Sequence, residues 1–112
     1  HLLADYVLQT GWMLRDKAVY GGPGGLAHAA VHVLLTVPVL LWLQTGLVFM
    51  LAIVLAEFLL HYHIDWAKAR LSLRAGFKVH EKRYWVAYGM DQSLHQLTYL
   101  GILLALVVAA AD

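Results

Sequence analysis

Apolar residues fill four stretches of this chain, which short polar or glycine-rich segments separate. The stretches cover about residues 1–14, 26–44, 47–73 and 83–111. A helix needs about 20 apolar residues to cross a bilayer, and the last three stretches reach or approach that length. Because the chain opens inside its first apolar run, we expect that helix to start upstream of His1. The pattern predicts one all-α domain, an integral membrane four-helix bundle.

The segments between the stretches predict how the helices connect. Gly21 to Gly25, with Pro23 among them, predicts a flexible connector outside any helix. Thr45 and Gly46 form a turn so short that the flanking helices should be antiparallel neighbours. Pro38 lies within the second stretch and predicts a kink, which membrane helices tolerate.

Composition supports the membrane assignment and excludes several other classes. Hydrophobic residues make up 62% of the chain and charged residues 13%, against about 45–50% and about 25% in soluble domains. The chain has no cysteine, which excludes thiolate ligands and disulfides. A net charge of +1 with no basic stripe gives no reason to expect a nucleic-acid partner. We expect the main partners to be membrane lipids.

The basic residues predict the orientation in the membrane. All eight lysines and arginines lie in the first and third connections or beside them, and the second connection has none. Cytoplasmic loops of membrane proteins carry an excess of lysine and arginine. The first and third connections should therefore face the cytoplasm.

Each apolar stretch also contains a polar pair spaced four residues apart, which places both side chains on one helix face. Such residues are costly inside a membrane unless they are paired or bound to something. With the predicted orientation, every pair falls in the cytoplasmic half of its helix, so packed helices would bring the pairs together. The pairs are His1/Asp5, His28/His32, His61/Asp65 and Asp91/His95, and Glu57 precedes His61 by four residues.

Imidazole and carboxylate together are a ligand set for zinc, manganese and non-haem iron. Eight candidates could hold one or two divalent ions, of which we expect zinc. A bound ion would activate water for hydrolysis. Glu57, or an aspartate left without a metal ion, could then accept a proton. Asp91 is a candidate both for this role and for a metal ligand. Lys68 could bind an anionic headgroup, although lysines at helix ends also commonly reach toward the membrane surface. The eight ligand candidates are His1, Asp5, His28, His32, His61, Asp65, Asp91 and His95.

The ordered motifs His1–Thr10, His28/His32, His61–Lys68 and Asp91–His95 resemble domain of unknown function 3307, a family of small bacterial and phage integral membrane proteins. The resemblance covers nearly the whole chain and implies residence in the bacterial inner membrane. More distantly, the scheme is similar to inner-membrane proteins described as metal-dependent hydrolases. The inclusion of His32 and Glu57 depends mainly on their position on the same helix face as the other candidates. The site residues that the resemblance implies are His1, Asp5, Gln9, His28, His61, Asp65, Lys68, Asp91, Gln92 and His95.

The leading functional hypothesis is a metal-dependent intramembrane hydrolase that acts on a lipid-like ester, amide or phosphoester at the cytoplasmic leaflet. A metal-ion or proton transporter module, which would need homo-oligomerisation, is the second class. A haem-binding electron carrier would use two of the histidines as axial ligands. A structural subunit would use the same pairs only for hydrogen bonds between helices.

Overall fold

Three long helices make up most of the chain. The computed structural model describes residues 1–111 and contains no strand in that range, which confirms the predicted all-α class. A π-helical turn, Leu3–Val7, precedes four α-helices. By length and composition α2, α3 and α4 are each able to cross a membrane. The α-helices are α1 (Gly11–Asp16), α2 (Pro23–Trp42), α3 (Leu47–Ala75) and α4 (Lys82–Ala111).

The predicted first helix, residues 1–14, is divided into two short pieces. The π-helical turn ends at Val7 and α1 begins at Gly11, so the helix is interrupted between them. Thr10 has an extended backbone, and its hydroxyl accepts a hydrogen bond from the Met13 backbone N–H at 3.4 Å. Threonine is a favoured N-cap, and this cap starts a new helix where the sequence pattern predicted a continuous one.

Helix α2 begins at Pro23, three residues before the predicted start at Leu26. Gly24 and Gly25 were predicted to lie in a flexible connector, but both belong to the helix. A Cβ atom on Gly24 would lie 2.8 Å from the Asp16 Cβ and 2.9 Å from the Trp12 carbonyl oxygen. The glycine is therefore needed for the close packing of α1 on α2. Asp16 also accepts a 3.0 Å hydrogen bond from the Gly24 N–H.

Helix α3 packs against both α2 and α4 and is the central helix of the array. It ends at Ala75, and the next residue is Gly76, whose φ of +61° lies in the left-handed region that favours glycine. The other ends of α2, α3 and α4 lie within two residues of their predicted positions. Pro38 lies inside α2, and the bend predicted there stays a prediction.

The distribution of side chains is the reverse of that in a soluble protein. Asp91 and His95 are the buried residues of α4, while leucines such as Leu97 and Leu104 are more than 60% exposed. In α3, the buried set includes Glu57 as well as apolar residues. Apolar outer surfaces of this kind are stable against hydrocarbon and not against water. The chain is a membrane protein whose outer surface contacts lipid.

Replacing Gly24 with alanine should destabilise the protein by about 1–3 kcal/mol, because the new Cβ atom overlaps backbone atoms of α1. Gly89→Ala is the matched control, since a Cβ atom at Gly89 meets nothing within 4 Å. Thermal unfolding in detergent measures both variants. Equal transition temperatures for the two variants would contradict the close packing of α1 on α2.

Candidate functional site

The eight predicted ligands come from four parts of the chain and meet between the helices. We call these eight residues the polar core. It lies at the end of the helices near the α1–α2 and α3–α4 connections, because its members fall early in α2 and α4 and late in α3. The four histidines on the long helices are each no more than 2% exposed. The members of the polar core are His1, Asp5, His28, His32, His61, Asp65, Asp91 and His95.

Asp5 brings together histidines from the start of the chain and from α2. Its Oδ2 atom lies 2.7 Å from Nδ1 of His1. Its Oδ1 atom lies 3.2 Å from Nε2 of His28 and 3.1 Å from Nε2 of His32. One carboxylate thus contacts three imidazoles, which compensates for its removal from water. Asp5 positions the π-helical turn against α2.

Asp65 connects α2, α3, α4 and the residue that follows α1. Its Oδ2 atom lies 2.7 Å from Nζ of Lys17 and 3.3 Å from Nε2 of His28. His61 and His95 each approach the same carboxylate, with Nε2 at 3.5 Å and 3.8 Å from its oxygens. A carboxylate with four cationic or imidazole neighbours is the central anion of the polar core.

His61 lies at the centre of the imidazole rings. Its ring centroid is 3.8 Å from that of His32 and 4.3 Å from that of His95. The His1 and His28 rings follow at 5.7 Å and 5.4 Å. Rings packed this closely could present several nitrogens to one ion. Neutral imidazole is the form that binds metal ions.

The orientation of His95 leaves one of its nitrogens available as a ligand. Its Nδ1–H donates to the Asp91 backbone carbonyl at 2.8 Å. The lone pair is then on Nε2, which faces Asp65. Metal-binding histidines commonly have one ring N–H fixed in this way by a carbonyl or carboxylate. The hydrogen bond therefore orients His95 for coordination.

Several buried atoms of the polar core have no hydrogen-bond partner within residues 1–111. They include Nε2 of His1, His61 and His95, and Oδ1 of Asp91. A buried polar atom without a partner costs about 1–3 kcal/mol, and such atoms are uncommon in native proteins. Several together, all of ligand type, are what a cation-binding site would present.

Within residues 1–111, the candidate ligands form four groups of three residues. In each group, the three ligand atoms lie within 4.8 Å of one another. Two of these groups share no residue: His1, Asp5 and His32 in one, and Asp65, Asp91 and His95 in the other. The arrangement therefore has enough ligands for two ions, each in a separate group. The remaining groups are His1, His61 and His95, and His28, His32 and His61.

The residues predicted to act in catalysis occupy different surroundings. Glu57 is 1% exposed and its Oε1 accepts a 2.8 Å hydrogen bond from the Thr36 hydroxyl. It lies outside the four ligand groups. Asp91 belongs to a ligand group, and its Oδ2 is 3.8 Å from Nζ of Lys68. The catalytic roles of these residues stay predictions.

A polar cavity of about 210 Å³ adjoins the polar core. Asp5, Asp65 and Asp91 all line it, together with Lys17 and Lys68. The two glutamines that the family resemblance implies, Gln9 and Gln92, also line it. The cavity is the space through which a small polar group could reach the aspartates.

Sequence reasoning missed Lys17 and the tyrosines of the cavity. In the sequence, Lys17 is only one of the basic residues that predict the orientation in the membrane, and no helical spacing relates it to Asp65. Tyr84 and Tyr88 lie seven and three residues before Asp91, which places them on the same face of α4. That helical spacing could have identified them. The Tyr88 hydroxyl is hydrogen-bonded to that of Tyr6.

Two histidines lie outside the polar core. His63 donates from Nδ1 to the Leu59 carbonyl at 2.7 Å, and its Nε2 lies 3.2 Å from the Tyr20 hydroxyl. His80 is exposed between α3 and α4. Neither belongs to a ligand group within residues 1–111.

The family model described as "Protein of unknown function (DUF3307)" matches residues 1–111. The chain belongs to this family. No curated protein and no solved structure matches the chain. The family description names no activity, so proposals about the DUF3307 chain come from its geometry. The more distant similarity to metal-dependent hydrolases stays an expectation.

The Lys17–Asp65 pair should show strong energetic coupling, because both side chains are at most 14% exposed. In a double-mutant cycle with Lys17→Met and Asp65→Asn, we expect about 1–3 kcal/mol of coupling. The unfolding free energy is measured in detergent with a chelator, which removes any contribution from bound metal.

The Arg83–Glu81 pair is the control for this cycle. It is also an ion pair, at 2.9 Å, but the arginine side chain is 64% exposed. Exposed pairs contribute little, so we expect less than about 1 kcal/mol of coupling there. A Lys17–Asp65 coupling no larger than that of the control would contradict the central place given to Asp65.

Proposed function

We propose that this protein is a metal-dependent intramembrane hydrolase that acts on a lipid-like ester, amide or phosphoester. The observation that carries the proposal is the polar core, in which five histidines and three aspartates form groups of three whose ligand atoms lie within 4.8 Å of one another. Hydrogen bonds between helices would need far fewer such residues, and would not leave several ligand atoms without partners.

The proposed architecture is a four-helix bundle with the polar core in its cytoplasmic half. The π-helical turn packs beside α2, and this part of the chain supplies His1 and Asp5 to the site. The lysines and arginines near the α1–α2 and α3–α4 connections support a cytoplasmic position for that end. The setting proposed is the bacterial inner membrane, where the substrate would come from the cytoplasmic leaflet.

The donor set fits a divalent ion of borderline character. Imidazole and carboxylate suit zinc best, and manganese or iron are alternatives. A bound ion would lower the pKa of its water ligand toward neutrality and polarise a substrate oxygen. The four ligand groups offer sites for one or two ions.

Asp91, while it is not bound to an ion, is the proton acceptor that the geometry supports best. It lines the polar cavity, whereas Glu57 lies on the far side of His61 and is hydrogen-bonded to Thr36. In the proposed reaction, the water oxygen bonds to the carbonyl carbon or phosphorus as the bond to the leaving oxygen or nitrogen breaks. Asp91 takes the water proton and returns it to the leaving group.

A transporter is the second candidate, and Glu57 is the observation that favours it. Buried Glu57 and its half-buried partner Thr36 extend the polar side chains one turn beyond the polar core. One further turn along each helix, the buried residues are Leu40 and Ile53. Because this next layer is apolar, a site open to one side is better supported than a path across the membrane.

Purified protein should contain one or two divalent ions per chain, and His61→Ala should lose at least one of them. His61 is at the centre of the polar core and takes part in two of the four ligand groups. His63→Ala is the matched control two residues along the same helix, outside all four groups. Elemental mass spectrometry measures the stoichiometry. Retention of full metal content in His61→Ala would contradict the site.

Hydrolysis itself is tested with metal-loaded protein in liposomes that contain ester, amide and phosphoester lipids. We expect release of one lipid product, detected by mass spectrometry, and a rate about 10²–10⁴-fold lower in Asp91→Asn. Glu57→Gln should keep more activity than Asp91→Asn. Transport without hydrolysis by the metal-loaded protein would contradict the proposal and support the second candidate.

A further inference from the structure

An apolar groove runs along the outer face of the array between α3 and α4. It consists of two adjoining cavities of about 610 and 380 Å³, which share Leu60, Ile64 and Leu94. At one end the lining includes Lys68 and Asp91. Both residues also line the polar cavity beside the three aspartates. The groove is therefore continuous with the candidate site.

Small residues create the space in the deeper part of the groove. Ala56 and Gly101 lie on its two sides, and a Cβ atom at Gly101 would meet nothing within 4 Å. Along α3 the lining extends from Lys68 to Phe49, nineteen residues away. This separation corresponds to about 28 Å of helix, which exceeds the roughly 15 Å depth of one leaflet's hydrocarbon. The groove can hold an acyl chain from the leaflet in which its headgroup lies.

The charges at the end of the groove favour an anionic headgroup once a cation is bound. The polar cavity is lined by three aspartates and two lysines, so its ionised side chains carry one net negative charge. They are Asp5, Asp65, Asp91, Lys17 and Lys68. One divalent ion would reverse this to one positive charge, and two ions would raise it further. A phosphate group between the two lysines and the bound ions would then be strongly attracted.

We propose that the substrate is an anionic phospholipid, whose acyl chain lies in the α3–α4 groove and whose phosphate enters the polar cavity at Lys68. This inference rests on the proposed function, because it names the substrate class for the same site. A second copy of the chain is a poorer occupant, since an apolar helix face would bury Lys68 and Asp91 without supplying an anion for the lysine.

Native mass spectrometry of the metal-loaded protein tests the proposal. Dioleoyl phosphatidylglycerol is the anionic probe, dioleoyl phosphatidylcholine has the same chains with a zwitterionic headgroup, and sodium phosphate is the free anion. We expect retention of phosphatidylglycerol in preference to phosphatidylcholine. Gly101→Leu should lower that retention roughly fivefold by filling the groove, and Lys68→Gln roughly tenfold by removing a charge-assisted hydrogen bond.

Two control variants separate these effects from general damage. Gly89→Leu places the same side chain on α4, at a position with open space outside the groove. Arg74→Gln removes a positive charge from α3 outside both cavities. Each control should retain phosphatidylglycerol as the unmodified protein does.

Several results would overturn the proposal. Equal retention of the two lipids, or no effect of Gly101→Leu and Lys68→Gln, would exclude this lipid site. Binding of phosphate sensitive to Lys68→Gln without lipid binding would show that the anion is free phosphate. A dimer mass sensitive to Gly101→Leu would show that a second copy occupies the groove.

The metal content of the same samples keeps this inference separate from the proposed function. Bound metal without selective lipid retention would reject the groove and leave the metal site standing. Selective lipid retention without bound metal would reject the metal-dependent hydrolase and retain the lipid site.

Discussion

The cost of holding imidazoles and carboxylates away from water determines how this chain is organised. Hydrocarbon provides no hydrogen-bond partner, so every such group must turn inward and meet another. The side chains of Asp5 and Asp65 do so by contacting residues from several elements at once. In α4, the buried residues are Asp91 and His95, while the apolar residues face outward. The polar core thus occupies the place that an apolar core has in a soluble protein.

Much of the fold and the residues that meet in the polar core could be predicted, because both depend on regularities along a single helix. Apolar length predicts the three long helices, and a spacing of four residues places His61 with Asp65 and Asp91 with His95. The cost of isolated polar groups in a membrane then requires that the pairs meet. The eight predicted ligands lie together in overlapping groups for this reason, and their role as metal ligands stays a proposal.

What could not be predicted depends on contacts between elements. Gly24 resembled a connector residue, yet it lies within α2, at a point where α1 packs too close for a side chain. The apolar pattern did not predict that Thr10 would cap a new helix and divide the first one. Lys17 reaches Asp65 only because the chain folds back after α1. Such contacts follow from how elements pack, and periodicity within one element carries no information about them.

X-ray absorption at the metal edge of the purified protein tests the central claim, that the polar core binds a divalent cation, most directly. We expect an ion coordinated only by nitrogen and oxygen, with multiple-scattering features of two or more imidazoles. Those features should weaken in His61→Ala and stay unchanged in His63→Ala. An absence of bound metal, or an imidazole signal of full strength in His61→Ala, would contradict the claim.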